Sequence, residues 1–227
     1  MLSSDGLIEQ WFWKENIHSY LQPFPRDLGK FRYPKAHCMK DYISYILKSN
    51  LNREDAYVAF YSDEEIEKGY VDRIFIDIDG VNVEEIWANM KPFLSIFWNH
   101  LHVFFSGMKG FHVIVYIQPV LFDELLSNRQ RLYEVLSTWC QTVLDRQTFL
   151  DRKRIYRITF TYHSKANRWK IPVHFDWNIN SILSLSRNPD FQKFSMLRRK
   201  VTGVNYKIFL KEPYEIISEK LFQGNVK

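Results

Sequence analysis

The chain has 227 residues, 46% of them hydrophobic and 25% charged, with 8 Gly and 8 Pro; this is a globular composition with room for a sizeable core and without a Gly- or Pro-rich linker. Lys and Arg outnumber Asp and Glu by 31 to 26, and the resulting +5 suits an anionic partner without separating nucleic acid, nucleotide and membrane surface. Two cysteines, Cys38 and Cys140, exclude a disulfide framework and a Cys-rich zinc site.

The first 20 residues carry acids early and lack an apolar core followed by a small-residue cleavage site, so they do not read as a secretory signal. No window approaches the roughly 18 apolar residues that span a bilayer. A soluble, cytoplasmic protein without a membrane partner is expected.

In chain order, apolar residues recurring every three or four positions predict helices over 7–19 and 36–49. A strand follows over 56–62 ("AYVAFYS"), another over 73–79 ("RIFIDID"), and a helix over 82–99. Strands over 102–106 and 111–117 flank a tight basic turn, which marks them as neighbours in one sheet. A helix over 121–142, strands over 154–162 and 169–177, and a final strand "NYKIFL" with a short helix complete the order. These elements predict an α+β fold, a mixed and largely antiparallel central sheet flanked by helices. Aromatic residues make up 17% of the chain and are expected mainly to fill the core.

Three segments carry chemistry. In "RIFIDID", Asp77 and Asp79 fall on one face of a strand with Ile78 turned to the other, about 6 to 7 Å apart along the backbone. Such a pair reaches a divalent ion, or two closely spaced ions; it equally suits a strand end whose acids cap a turn at Gly80. Asp72 reads as a strand-start or surface residue. The turn "SGMKGFH" offers backbone N–H groups at its glycines with Ser106, Lys109 and His112, a cradle for a triphosphate or an ordinary hairpin turn with a solvated lysine. Its spacing is not that of a Walker loop. The third segment, 144–172, begins with Asp145 and holds eight Lys and Arg between 146 and 170, a density that suits phosphate contact or a solvated basic hairpin.

In this order the segments resemble the catalytic core of the archaeo-eukaryotic primase superfamily, whose motifs run D-x-D or D-x-E, then S-G-x-[KR]-G-x-H, then an Asp followed by R-x-P-x-[ST]-x-[HN]-x-K. Asp77 and Asp79 match the first, Ser106, Lys109, Gly110 and His112 the second, and Asp145 with Arg157, Thr161, His163 and Lys165 the third. Thr159 stands where the family often has proline, and "SKAN" replaces the usual Thr-Gly. Asp176, beside His174, is a rival for the third acid, and Asp145 is favoured by its 18-residue distance to His163. The match covers about residues 55 to 175.

The resemblance implies an RRM-like core over 55–180, preceded by a helical part over 1–54 and followed by a C-terminal extension over 181–227. It implies a DNA primase or primase-polymerase: a nucleotidyltransferase that joins nucleoside triphosphates on a single-stranded DNA template with two Mg²⁺ or Mn²⁺ ions. Asp77, Asp79 and Asp145 would be catalytic and metal-binding; Ser106, Lys109, Gly110, His112, Arg157, His163 and Lys165 would bind the nucleotide. Arg187, Arg198, Arg199 and Lys200 are expected to follow the template backbone. An archaeal, viral or plasmid-borne enzyme is implied, with a larger primase subunit or a helicase as a further partner. Two other readings stand beside it: a single-strand-binding replication-initiator domain without turnover, and a D-x-D glycosyltransferase, which leaves the second and third segments unexplained.

Overall fold

The computed structural model describes residues 24–142, 144–195, 197, 201–211, 213, 215 and 216. The expected helix over 7–19 lies outside them. The chain enters through a small hairpin, β1 (Arg26–Asp27) and β2 (Lys35–Ala36), and continues into α1 (Met39–Leu51), β3 (Tyr57–Ala59) and α2 (Asp63–Lys68). The central strands are β4 (Tyr70–Asp79), β5 (Leu101–Phe105) and β6 (Gly110–Leu121), with α3 (Val83–Phe97) between β4 and β5. Then come α4 (Phe122–Ser127), α5 (Arg129–Cys140), β7 (Ile155–Arg157), β8 (Tyr162–His163), β9 (Arg168–Trp169), β10 (Ile171–Pro172), α6 (Ile179–Arg187) and α7 (Phe191–Ser195).

The main sheet has the order β10-β5-β6-β4, and every neighbouring pair is antiparallel. The fold is therefore α+β with an antiparallel central sheet, as expected. Ile74, Ile76 and Ile78 are fully buried on one face of β4, where the α3 side chains Ile86, Met90 and Leu94 join the same core. The core runs from Leu28 to Ile216, through all three sequence segments.

Several elements differ from the periodicity. The helix expected over 121–142 is two helices, because Asn128 ends α4 by turning its side chain onto the Glu124 carbonyl at 2.9 Å. The strand expected over 154–162 stops at Arg157: Thr161 Oγ1 donates to the Ile158 carbonyl at 2.6 Å, and Phe160 takes a left-handed φ of 59°, so the chain turns before β8. The strand expected over 169–177 is only β9 and β10. The strand expected at "NYKIFL" is a 3₁₀ helix, Tyr206–Leu210, whose start is capped by Asn205 accepting from Lys207 N at 3.0 Å. Helix α2 went unpredicted because it has only six residues; Ser62 and Glu65 close a reciprocal capping box around it.

Candidate functional site

Antiparallel register builds the site from two strand ends. Asp77 lies opposite His112 and Asp79 opposite Gly110, so both acids share a face with the imidazole while buried Ile78 points into the core. Gly110 is required there: a Cβ would lie 2.0 Å from the Ile78 carbonyl oxygen and 2.3 Å from Asp79 Oδ1. Gly107, at φ 95°, supplies the bend between β5 and β6, closed by Ser106 N donating to the Gly110 carbonyl at 2.9 Å. Lys109, half exposed at the tip, reaches Asp79 Oδ2 at 3.2 Å.

Asp145 is far away in sequence yet adjoins the pair: its backbone N–H donates to the Asp77 carbonyl at 3.0 Å. Its Oδ1 accepts from Gln147 N at 3.0 Å. Asp176 instead pairs with His174 Nδ1 at 3.5 Å and is 69% exposed. Burial pushes the Asp77 carboxyl up to about 6; the Arg154 cation opposes this, and the charges of Asp79 and Asp145 add to it. Arg154 sits directly on Asp77 Oδ2, with its guanidinium over the Phe75 ring at 5.4 Å.

His112 Nε2 faces Asp77 Oδ1 at 3.6 Å, and its Nδ1 meets the Nζ of Lys170 at 2.8 Å. Lys170 is fully buried; its Nζ also donates to the Arg157 carbonyl at 2.6 Å and lies 4.5 Å from the centre of the Tyr156 ring. Burial lowers the pKa of both groups well below the usual values; Lys170 also lowers that of His112, and Arg157 that of Lys170. A neutral imidazole that accepts at Nδ1 carries its proton on Nε2, directed at the acidic end of the cleft.

Arg157 is engaged on both arms: Nη1 bonds Asp55 Oδ1 at 2.6 Å and Nη2 donates to the Tyr57 hydroxyl at 3.0 Å. Asp55 also accepts from Ser164 N at 2.9 Å, which ties the turn after β8 to the start of β3. Burial raises the Asp55 pKa, but the hydrogen bonds from Arg157 and Ser164 outweigh it and bring the carboxyl down to about 2.

Asp77, Asp79, Ser106, Lys109, His112, Arg154, Arg157 and His163 line one cavity of about 320 Å³. It is continuous, through Lys30, Tyr57, Met108, Arg157 and His163, with a second of about 490 Å³ that ends at Asp55 and Lys165. His163 is buried in the wall, with no hydrogen-bond partner at Nδ1 among the described residues. The three sequence segments thus meet in one cleft, although Asp145 is not among the residues that line it; Arg187, outside those segments, is exposed on α6 near Arg168. Arg198, Arg199 and Lys200 lie outside the described residues. Lys30, Asp55, Tyr57, Arg154 and Lys170 were not singled out from sequence; Arg154 and Lys170 read there as two cations in a basic stretch, and nothing local marked them.

Among the described residues, no three His, Cys, Asp or Glu side chains are already grouped as a metal cage. The donor chemistry nevertheless fits a hard divalent cation. Asp77 and Asp79 present carboxylate oxygens at one strand end, Asp145 adds negative charge at Asp77, and a cationic side chain already rests on that carboxylate.

No family model matches the chain, and no curated protein sequence matches it. Among solved structures the chain is similar to the AEP domain (PP-N190) of the primase-polymerase of cyanophage S-2L, with 12% sequence identity and a TM-score of 0.44 over 79% of this chain and 95% of that one. Among the described residues, no helix is long and apolar enough to cross a membrane.

Proposed function

We propose that the protein is a template-directed nucleotidyltransferase that makes primers on single-stranded DNA. The observation that carries this reading is the cleft itself: Asp77 and Asp79, with the charge of Asp145 acting on Asp77, lie beside the Ser106–His112 turn, Arg157 and His163, and Lys165 lines the adjoining cavity. Metal-assisted phosphoryl transfer needs these two chemistries side by side, because the phosphates must be held while their reacting end meets the cations. A D-x-D glycosyltransferase does not account for the second half of the cleft.

Asp77, Asp79 and Asp145 would hold Mg²⁺ or Mn²⁺, which when bound supplies charge neutralisation and acidification of the attacking hydroxyl. Ser106 and the backbone N–H groups around Gly107 and Gly110 accommodate phosphate oxygens, and Lys109 adds a mobile cation at the tip. His112 donates through Nε2, held in that tautomer by Lys170. Arg157 is fixed by Asp55 and Tyr57 and so presents an ordered positive face. His163 and Lys165 serve the outer part of the nucleotide. Arg187, Arg198, Arg199 and Lys200 are proposed to contact the template.

The test is incorporation of labelled nucleotide on single-stranded DNA, with ribo- and deoxyribonucleotide pools and either metal. Asp77→Ala should abolish turnover, whereas Lys109→Ala should raise KM about tenfold with a smaller loss in kcat. Single-strand binding without incorporation in any pool or metal would establish the initiator-type binding domain instead.

A further inference from the structure

The hairpin β1–β2 ends in a tip, Gly29–Pro34, whose two aromatic rings are among the most exposed apolar groups described: Phe31 at 89% and Tyr33 at 82%. They flank Arg32, and Lys30 beside them lines both parts of the cleft. Isolated exposed rings are ordinary, but these two stand one residue apart on a tip that is held firmly. Leu28 N donates to the Pro34 carbonyl at 2.7 Å and Arg32 N to the Gly29 carbonyl at 3.2 Å, closing the tip on itself. Gly29 N donates to the carbonyl of Tyr57, a cleft residue, at 2.8 Å. The Arg32 guanidinium donates to the carbonyl of Lys153, the neighbour of Arg154. Gly29 is needed for this closure: it has φ 73°, and a Cβ would come within 2.8 Å of the Tyr33 carbonyl oxygen.

We propose that this tip is a stacking platform for the single-stranded template, with Phe31 and Tyr33 receiving unpaired bases and Lys30 an adjoining phosphate, while Arg32, held by the Lys153 carbonyl and Asp27, anchors the tip. The inference rests on the nucleotidyltransferase reading for the identity of the strand. Its own basis is the pairing of exposed rings with cations on a rigid loop at the rim of a basic cleft. Sequence-tolerant single-strand sites combine these features, since every base has a face to stack and every linkage a negative charge. A backbone already held in place loses little conformational freedom on binding, so more of the rings' contact area translates into affinity.

The test is fluorescence anisotropy of the full chain with a labelled oligothymidylate and with an abasic strand of equal length, alongside the incorporation assay. Phe31→Ala and Tyr33→Ala should each weaken binding of the base-bearing strand about tenfold and leave abasic binding unchanged. Phe31→Trp should restore affinity where Phe31→Leu does not. Lys30→Ala should lower the salt slope by about one, while the ring variants leave the slope as it was. Equal weakening on abasic and base-bearing strands overturns the stacking role. So does unchanged strand affinity with a raised nucleotide KM, which places the rings on the incoming nucleotide. A fall in melting temperature with unchanged affinity shows that the rings are covered by the chain itself. If the ring variants bind as wild type while wild type incorporates nucleotide, the platform is wrong and the enzymatic reading stands. If ring-dependent strand binding appears without incorporation in any condition, the platform stands and the enzymatic reading fails.

Discussion

At the scale of single residues, Asp77 holds an unfavourable charge. Its carboxyl is raised from 3.8 to about 6, mainly by burial, and the adjoining acids outweigh part of what Arg154 relieves. A folded-state value above the unfolded one means that the folded protein binds the extra proton between these limits, so stability falls as pH rises from about 4 to 6 and stays reduced above. Asp77→Asn should therefore stabilise the metal-free protein at pH 7 by about 1 to 3 kcal/mol in urea denaturation, with the gain vanishing near pH 4. A destabilised variant would mean that the Arg154 pair dominates. Lys170 is a second such residue, a buried amine whose contacts fix one imidazole. Lys170→Met should cost about 1 to 3 kcal/mol in chemical denaturation, because it leaves the buried Arg157 carbonyl and His112 Nδ1 without their donor. It should raise nucleotide KM several-fold and change the ¹⁵N tautomer signature of His112; an unchanged signature would leave Lys170 a merely structural group. The two acids were legible because an i, i+2 pair is a local pattern. Lys170 was not, since its role depends on a histidine 58 positions away.

At the scale of elements, the first hairpin, α2 and β4 are joined by a buried charge triad. Glu65 accepts from Arg26 Nη2 at 3.1 Å and pairs with Arg73 Nη1 at 2.6 Å, and both guanidinium groups are essentially inaccessible. Burial and the neighbouring Arg73 lower Arg26 to about 10, and it remains charged at neutral pH. Removing the shared anion leaves two buried cations facing each other. Glu65→Gln should cost about 3 to 5 kcal/mol, measured by chemical denaturation, and replacing all three by apolar residues should recover much of it. A loss under about 1 kcal/mol would show that the triad is solvated in solution. The Ser62-to-Glu65 spacing is a visible capping signature, but it does not tell that the same Glu65 serves two arginines from different strands. Likewise, the β-rich composition of 154–162 suggested one long strand, and a hydroxyl-to-carbonyl bond with one left-handed residue broke it.

At the scale of the molecule, Asp55 and Arg157 link residues 102 positions apart and close the outer end of the cleft. Here the folded pKa lies below the unfolded value, about 2 against 3.8, so the stabilisation is present above pH 4 and is lost as pH falls toward 2. Allowing for partial solvent screening, Asp55→Asn should cost about 1 kcal/mol at pH 7 and flatten the acid limb of the stability curve between pH 4 and 2. An equal deficit at both ends of that range would remove the ion pair as its cause. The same variant should loosen Arg157 and raise nucleotide KM.

The sequence by itself determined the α+β class, the central strands and the order of the three chemical segments, because alternation, turn glycines and short motifs are properties of neighbouring residues. Only the tertiary structure decided that Asp145 rather than Asp176 adjoins Asp77, that Arg154 rests on the acidic end, that Arg157 is held by Asp55, and that a hairpin at the start of the described chain stands at the rim of the cleft. Those are contacts between residues tens of positions apart, and they depend on how antiparallel strands register and on which charges burial forces together, which no local pattern encodes.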